Sequence, residues 1–118
     1  METKTKTNTL QPRLISFTVD VLRLAKKYES NRTLAPVFNQ LLRSAGSVGA
    51  NITEAHGSVT KGGFARYFHI ALQSANETRY WLDVLQEYGV GALDTFKKEN
   101  NEFCRVIGAS LRTLRSKS

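Results

Sequence analysis

Arg43-Ser-Ala-Gly-Ser-Val-Gly-Ala-Asn-Ile-Thr-Glu-Ala-His-Gly57 is the stretch whose reading decides the fold. With Leu41 and Leu42 just before it, Ala45, Val48, Ile52 and Ala55 recur at helical spacing. Beside that stripe run Ser47, Asn51 and Glu54, at i, i+4 and i+7. Ala45, Gly46, Gly49, Ala50 and Thr53 are small and flank both. A helix that spends positions on glycine forgoes intrinsic propensity, and its backbone can then approach another helix closely. Polar side chains in such a seam need partners, because an unpaired buried polar group costs about 1–3 kcal/mol.

Working outward, three more helices are expected. Pro12 fits a first helical turn, where its missing N–H is not needed. Leu14, Phe17, Thr18, Val21, Leu22, Ala25 and Tyr28 then repeat at three and four, ending near residues 29–32. Pro36 opens the second helix, and Gly57 is expected to supply a left-handed residue at its end. Thr60 suits an N-cap for the third helix, which should reach Glu87 or Tyr88. Gly89-Val-Gly91 is a turn, and Phe96, Phe103, Ile107, Leu111 and Leu114 mark the fourth helix. Short connections between such helices favour antiparallel neighbours. The expected fold is therefore all-α, an antiparallel up-down-up-down four-helix bundle over residues 12–115. Residues 1–11 read as a disordered basic tail and residues 116–118 as a C-terminal tail.

The third helix carries more apolar stripes than a monomer needs. Phe64, Phe68, Ala71, Ala75, Thr78, Leu82 and Leu85 form the core-facing one. Tyr67, Ile70, Ser74, Glu77, Trp81, Val84 and Tyr88 form a second. Arg66, His69, Gln73, Asn76, Tyr80, Asp83 and Glu87 are polar apart from one ring. A bundle helix needs about one buried stripe. The second stripe, with Tyr67 and Trp81, reads as an oligomer interface, where aromatic residues are enriched; the alternative is that Trp81 caps the core from the side.

Arg43-Ser-Ala-Gly-Ser-Val-Gly-Ala-Asn-Ile-Thr-Glu-Ala55 resembles the signature of a four-helix-bundle family. That family is named after proteins encoded in intervening sequences of bacterial large-subunit rRNA genes. Phe64, Ile70-Ala-Leu72 and Asn76-Glu-Thr-Arg-Tyr-Trp-Leu82 resemble its second motif, in the same order and at the right separation. The resemblance covers roughly residues 12–115. The family also resembles the accessory variability determinant of diversity-generating retroelements, a basic pentameric partner of a reverse transcriptase. The resemblance therefore implies a homopentamer and, as a partner, a reverse transcriptase or other RNA-handling machinery. It attaches no activity to the motif positions.

Seventeen Lys and Arg against ten Asp and Glu give a net charge of +7. Such a balance speaks of partners and solubility rather than of fold, and a phosphate polymer is its usual partner. Arg105, Arg112 and Arg115, with Lys97 and Lys98 near the start of the same helix, are the candidate nucleic-acid-binding residues. No base-reading element accompanies them, so binding to RNA or DNA is expected without sequence preference. The competing reading is a structural or adaptor protein that binds another protein, its charge incidental.

Catalytic and metal patterns are missing. Glu-x-x-His pairs fail, since Thr53 precedes His56 and Arg66 precedes His69 by three. One cysteine and two histidines make no zinc pattern. Gly57 to Gly62 has the first spacing of a phosphate loop, but Gly63 and Phe64 follow instead of Lys-Ser/Thr. No cofactor, metal or catalytic residue is expected, and the chain is read as a non-enzyme. Glu54 and Glu77 are read as members of a buried polar network that fixes helix register, with Arg43, Ser47 and Asn51. Arg79 is a second candidate partner for those carboxylates. Cys104 excludes an internal disulfide and fits a reducing cytoplasm. No apolar run is long enough to span a membrane.

Overall fold

The computed structural model describes the backbone of residues 2–116 and the side chains of residues 9–116. Four helices are present and no strand among the described residues: α1 (Glu2–Lys26), α2 (Ala35–Gly57), α3 (Lys61–Tyr88) and α4 (Asp94–Ser116). α1 packs on α2 and α4, and α3 packs on α2 and α4, so the four enclose one core. At about 1.5 Å per residue, α3 is about 42 Å long, most of the 47 Å long axis.

α1 departs from the sequence reading. It starts before Pro12, which therefore lies inside the helix. Leu10, assigned above to a disordered tail, is fully buried beside Leu14. Its burial gives this turn tertiary support that helix propensity does not register. Met1 of the expected N-terminal tail, and residues 117 and 118 of the C-terminal tail, lie outside the described residues. α1 ends at Lys26, and the chain then turns. Asn31 accepts from the N–H groups of Thr33 (3.0 Å) and Leu34 (2.9 Å), leading into α2. Leu22, placed above on the apolar stripe, is 49% exposed.

The ends of α2 and α3 show two ways to stop a helix. Gly57 is the last residue of α2 and is not left-handed; Ser58 follows in an extended conformation, its N–H on the Ala55 carbonyl. A left-handed residue is not needed when the next residue swings straight out. Gly89 does take the left-handed conformation, with φ +116°. Its N–H reaches the carbonyls of Leu85 and Gln86, while the Val90 N–H also reaches Leu85. Buried Val90 completes this glycine-terminated motif with an apolar contact at the helix end. At the start of α3, the Thr60 hydroxyl accepts from the Gly63 N–H at 2.9 Å.

The core-facing stripe of α3 is buried from Phe68 through Leu85, with Phe64 half-buried and stacked on Phe68. Phe17 meets Phe96 and Phe103 edge-on, joining α1 to α4. The small residues of α2 are less tightly used than their sequence suggests. A Cβ at Gly46 would meet nothing, and one at Gly49 would sit 3.5 Å from the Leu14 Cβ, an ordinary contact.

Candidate functional site

Polar groups do run along the α2–α3 seam, in a set different from the expected one. Ser44 and Thr78 are fully buried, and the Thr78 hydroxyl donates to Ser44 Oγ at 2.9 Å. Ser44 in turn donates to the Leu41 carbonyl. One turn on, the Ser47 and Ser74 hydroxyls are 2.8 Å apart, and Asn51 Nδ2 donates back to Ser47 Oγ and to its carbonyl. Arg43 forms an ion pair with Glu77, which also accepts from Trp81 Nε1 at 3.1 Å. The Arg43 and Glu77 side chains are 57% and 37% exposed, so this pair lies at the rim of the seam.

Glu54 is exposed and does not join these groups. Seven residues after Ser47, Glu54 falls about 20° short of two full turns, on the outer edge of the seam. Arg79, the second candidate partner, is also exposed. Ser44, Ser74 and Thr78 are the members that sequence reasoning left out of the network. The available signal was Thr78 on an otherwise apolar stripe, because a buried hydroxyl demands a partner.

The aromatic stripe of α3 is half open. Tyr67 and Trp81 are half-buried against the core. Tyr80, read above as polar-stripe, meets Trp81 edge-on at 5.0 Å. Tyr80 and Tyr88 are 59% and 64% exposed. The C-terminal half of α3 thus presents three large rings near the surface.

The five basic residues expected to form one binding face are divided. Lys97 bonds to Asp83 at 3.0 Å and to Gln86, both on α3. Arg105 is held in a bidentate pair by Glu102, whose hydrogen bonds raise the guanidinium pKa above its ordinary value. Lys98 is exposed and lines a groove between α1 and α4 that also holds Asp20 and Glu99. In that groove Arg13 makes two hydrogen bonds to Glu99, at 2.7 and 3.2 Å, and lies over the Phe103 ring. Arg112 is exposed, its guanidinium lying over Gly108.

Arg115 lies on the side of α4 next to α3. There the end of α4 lies beside the start of α3, and a groove of about 440 Å³ opens between them. Among the described residues, Lys61, Gly62, Ala65, Arg66, His69, Leu111, Leu114 and Arg115 line it, and no acidic one does. Lys61 and Arg66 were not among the sequence candidates. They are 50 residues or so from Arg115 in the chain, and only the packing of α3 on α4 joins them. Among the described residues, no cluster of His, Cys, Asp and Glu is suited to a metal ion, and no helix is long and apolar enough to cross a membrane.

Residues 7–110 match the family described as "23S rRNA-intervening sequence protein". The fold is similar to the crystal structure of a protein of unknown function from the S23 ribosomal protein family of Bacteroides thetaiotaomicron. The two are 28% identical, with a TM-score of 0.82, over 91% of this chain and 98% of that one. Comparison with curated proteins finds none that matches.

Proposed function

The chain belongs to the 23S rRNA-intervening sequence protein family, and from that premise we propose that it is a non-enzymatic, homo-oligomeric nucleic-acid-binding bundle. The observation that carries this reading is the groove between α3 and α4, where Lys61, Arg66, His69 and Arg115 converge and where no acid among the described residues lines the walls. Arg112 stands three residues from Arg115, one helical turn away, and extends the positive surface along α4. These cations neutralise phosphates and carry no sequence information. Lys97 and Arg105, already committed to acids, contribute less. The helices run in antiparallel, up-down-up-down order. Seam partners support this for α2 and α3: Arg43 meets Glu77, Ser47 meets Ser74, and His56 meets Phe64, numbers rising in one helix as they fall in the other.

Self-association uses the aromatic face of α3, where Tyr80 and Tyr88 are exposed beside Trp81. Five copies, the number implied by resemblance to the accessory variability determinant, would repeat the basic groove around a ring. Multivalency would then strengthen weak phosphate contacts. A reverse transcriptase or other RNA-handling enzyme is the protein partner that this resemblance suggests. The intramolecular pairing of Lys97 and Arg105 favours a second reading, an adaptor whose charge is incidental.

Fluorescence anisotropy with labelled RNA and DNA at low and near-physiological salt separates the two. A phosphate binder loses affinity with a log–log slope near −0.9 per duplex phosphate contacted, and Arg112→Glu with Arg115→Glu abolishes binding while the helices stay folded. Absence of binding at low salt, or binding indifferent to the double reversal, selects the adaptor reading.

A further inference from the structure

We propose that the outer face of the α1–α2 seam pairs with the same face of a second copy across a two-fold axis, a self-contact separate from the aromatic face of α3. Ile15 is 65% exposed and Leu22 is 49% exposed. They lie two turns apart on one side of α1, with half-buried Val19 between them. Leu10, Leu14, Phe17 and Val21 already bury the core stripe of α1, so the protomer has no use for this second apolar stripe. Beside it the surface of α2 is low. Gly46 and Ala50 stand across from Ile15 and Val19 in a groove of about 280 Å³, and none of the described residues lining it carries a charge. A Cβ at Gly46 would meet no atom, so the room there is not filled within the protomer.

Charge complementarity favours a second copy as the occupant. Glu54 stands one turn after Ala50, and Lys26 one turn after Leu22, both exposed. Gln11 donates to Thr53, Leu14 lies against Gly49, and Lys26 lines a groove with Asn39, so α1 rises as α2 descends. A two-fold axis across the seam reverses the second copy and lays its α1 over this α2, the two running parallel. When Leu22 of the second copy sits on Ala50, its Ile15 sits two turns earlier over the stem of Arg43, with Gly46 between them. The same register carries its Lys26 to Glu54. One operation thus matches both apolar side chains and an opposite-charge pair, and does so twice, because each copy supplies both halves. An anionic polymer on this face would leave Ile15 and Leu22 in water.

The test is a disulfide between copies. Lys26→Cys and Glu54→Cys are introduced together into a full chain carrying Cys104→Ser, both at exposed positions. Within one protomer the two cannot meet. Thr53 lies beside Gln11, and Lys26 is 15 residues further along α1, about 22 Å, whereas a disulfide spans about 7 Å between Cα atoms at most. Mild oxidation should convert most of this variant to a covalent dimer on a denaturing, non-reducing gel. Lys26→Cys or Glu54→Cys alone should give at least tenfold less. Leu22→Asp should cut the dimer yield at least fivefold while leaving the thermal melt in place; Ile15→Asp, at a more exposed position, serves if Leu22→Asp melts early. Trp81→Ala should leave the yield unchanged, which separates this contact from the aromatic one. Only monomer after oxidation overturns the pairing and leaves the face to a different protein. Equal dimer from either single variant, or a yield indifferent to both Leu22→Asp and Ile15→Asp, also overturns it. A ladder beyond the dimer would replace the two-fold contact by a head-to-tail one, and loss of the dimer with Trp81→Ala would assign it to the aromatic face; either result refutes the proposal.

Discussion

Replacing Thr78 by Val and Ser44 by Ala, singly and together, measures what the buried hydroxyl pair contributes to stability. Thr78→Val exchanges a hydroxyl for a methyl at nearly constant volume. It removes the 2.9 Å bond to Ser44 and the alternative donation to the Ser74 carbonyl. Ser44 keeps its own donation to Leu41, so no buried donor is orphaned and the cost is one net hydrogen bond, about 0.5–1.5 kcal/mol. Ser44→Ala removes that same bond together with the donation to the Leu41 carbonyl, at about 1–3 kcal/mol. Both single changes lose the same Ser44–Thr78 bond, so the double variant counts it once. The double variant should therefore be less destabilised than the sum of the singles by about 1 kcal/mol, well outside the 0.3–0.5 kcal/mol scatter of independent sites. An unfolding entropy of about 2.1 cal/mol/K per residue over 118 residues makes 1 kcal/mol worth about 4 °C in Tm. The assay is thermal unfolding by circular dichroism at one fixed protein concentration, since self-association makes Tm concentration-dependent. Strict additivity of the two changes would refute the shared bond and, with it, the pairing of α2 and α3 at this level.

Glu54→Ala should leave stability within about 0.5 kcal/mol, whereas Glu77→Ala, which strips both Arg43 and Trp81 Nε1 of an acceptor, should cost about 1 kcal/mol by urea titration. Gly89→Ala forces a Cβ into a φ of +116° with no neighbouring atom to blame, and should lower stability by about 1–2 kcal/mol. Gly57→Ala, at a helical position with open space, should leave stability equal or slightly raise it; the two glycine variants are compared by their denaturation midpoints. Light scattering coupled to size exclusion should show an oligomer that Trp81→Ala weakens more than Asn76→Ala; a clean wild-type monomer of 13.2 kDa at tens of micromolar would refute the aromatic interface.

Helix existence was legible in the sequence because it is a local property. The three-and-four spacing of Leu14, Phe17 and Val21, or of Phe68, Ala71 and Ala75, reports which side of each helix faces inward, and every one of these is buried. Thr60 and Gly89 were legible for the same reason, since a cap is made within a few residues of its own position. Gly57 was misread where the following residue, not the glycine, set the exit direction. Leu10 was misread because its burial comes from packing against other helices, which a weakly patterned polar segment does not advertise.

The sequence by itself determined that this chain makes four helices, which stripe of each is apolar, and that the protein carries a surplus of positive charge. The tertiary structure decided where that surplus is usable. Charge along a helix is read modulo 3.6 residues, so Arg105, Arg112 and Arg115 look equivalent in sequence. The pairing of Arg105 with Glu102 is a local i, i+3 contact within α4, but only packing brings Arg115 to Arg66 and Lys61 across a groove. It likewise set Arg13 against Glu99, 86 positions away, and put Glu54 in solvent while Glu77 received Arg43. Whether a polar or charged side chain is paired depends on the azimuth and register of a neighbouring helix, and those are fixed by side-chain interdigitation in the core, a property of two surfaces that neither helix's own sequence contains.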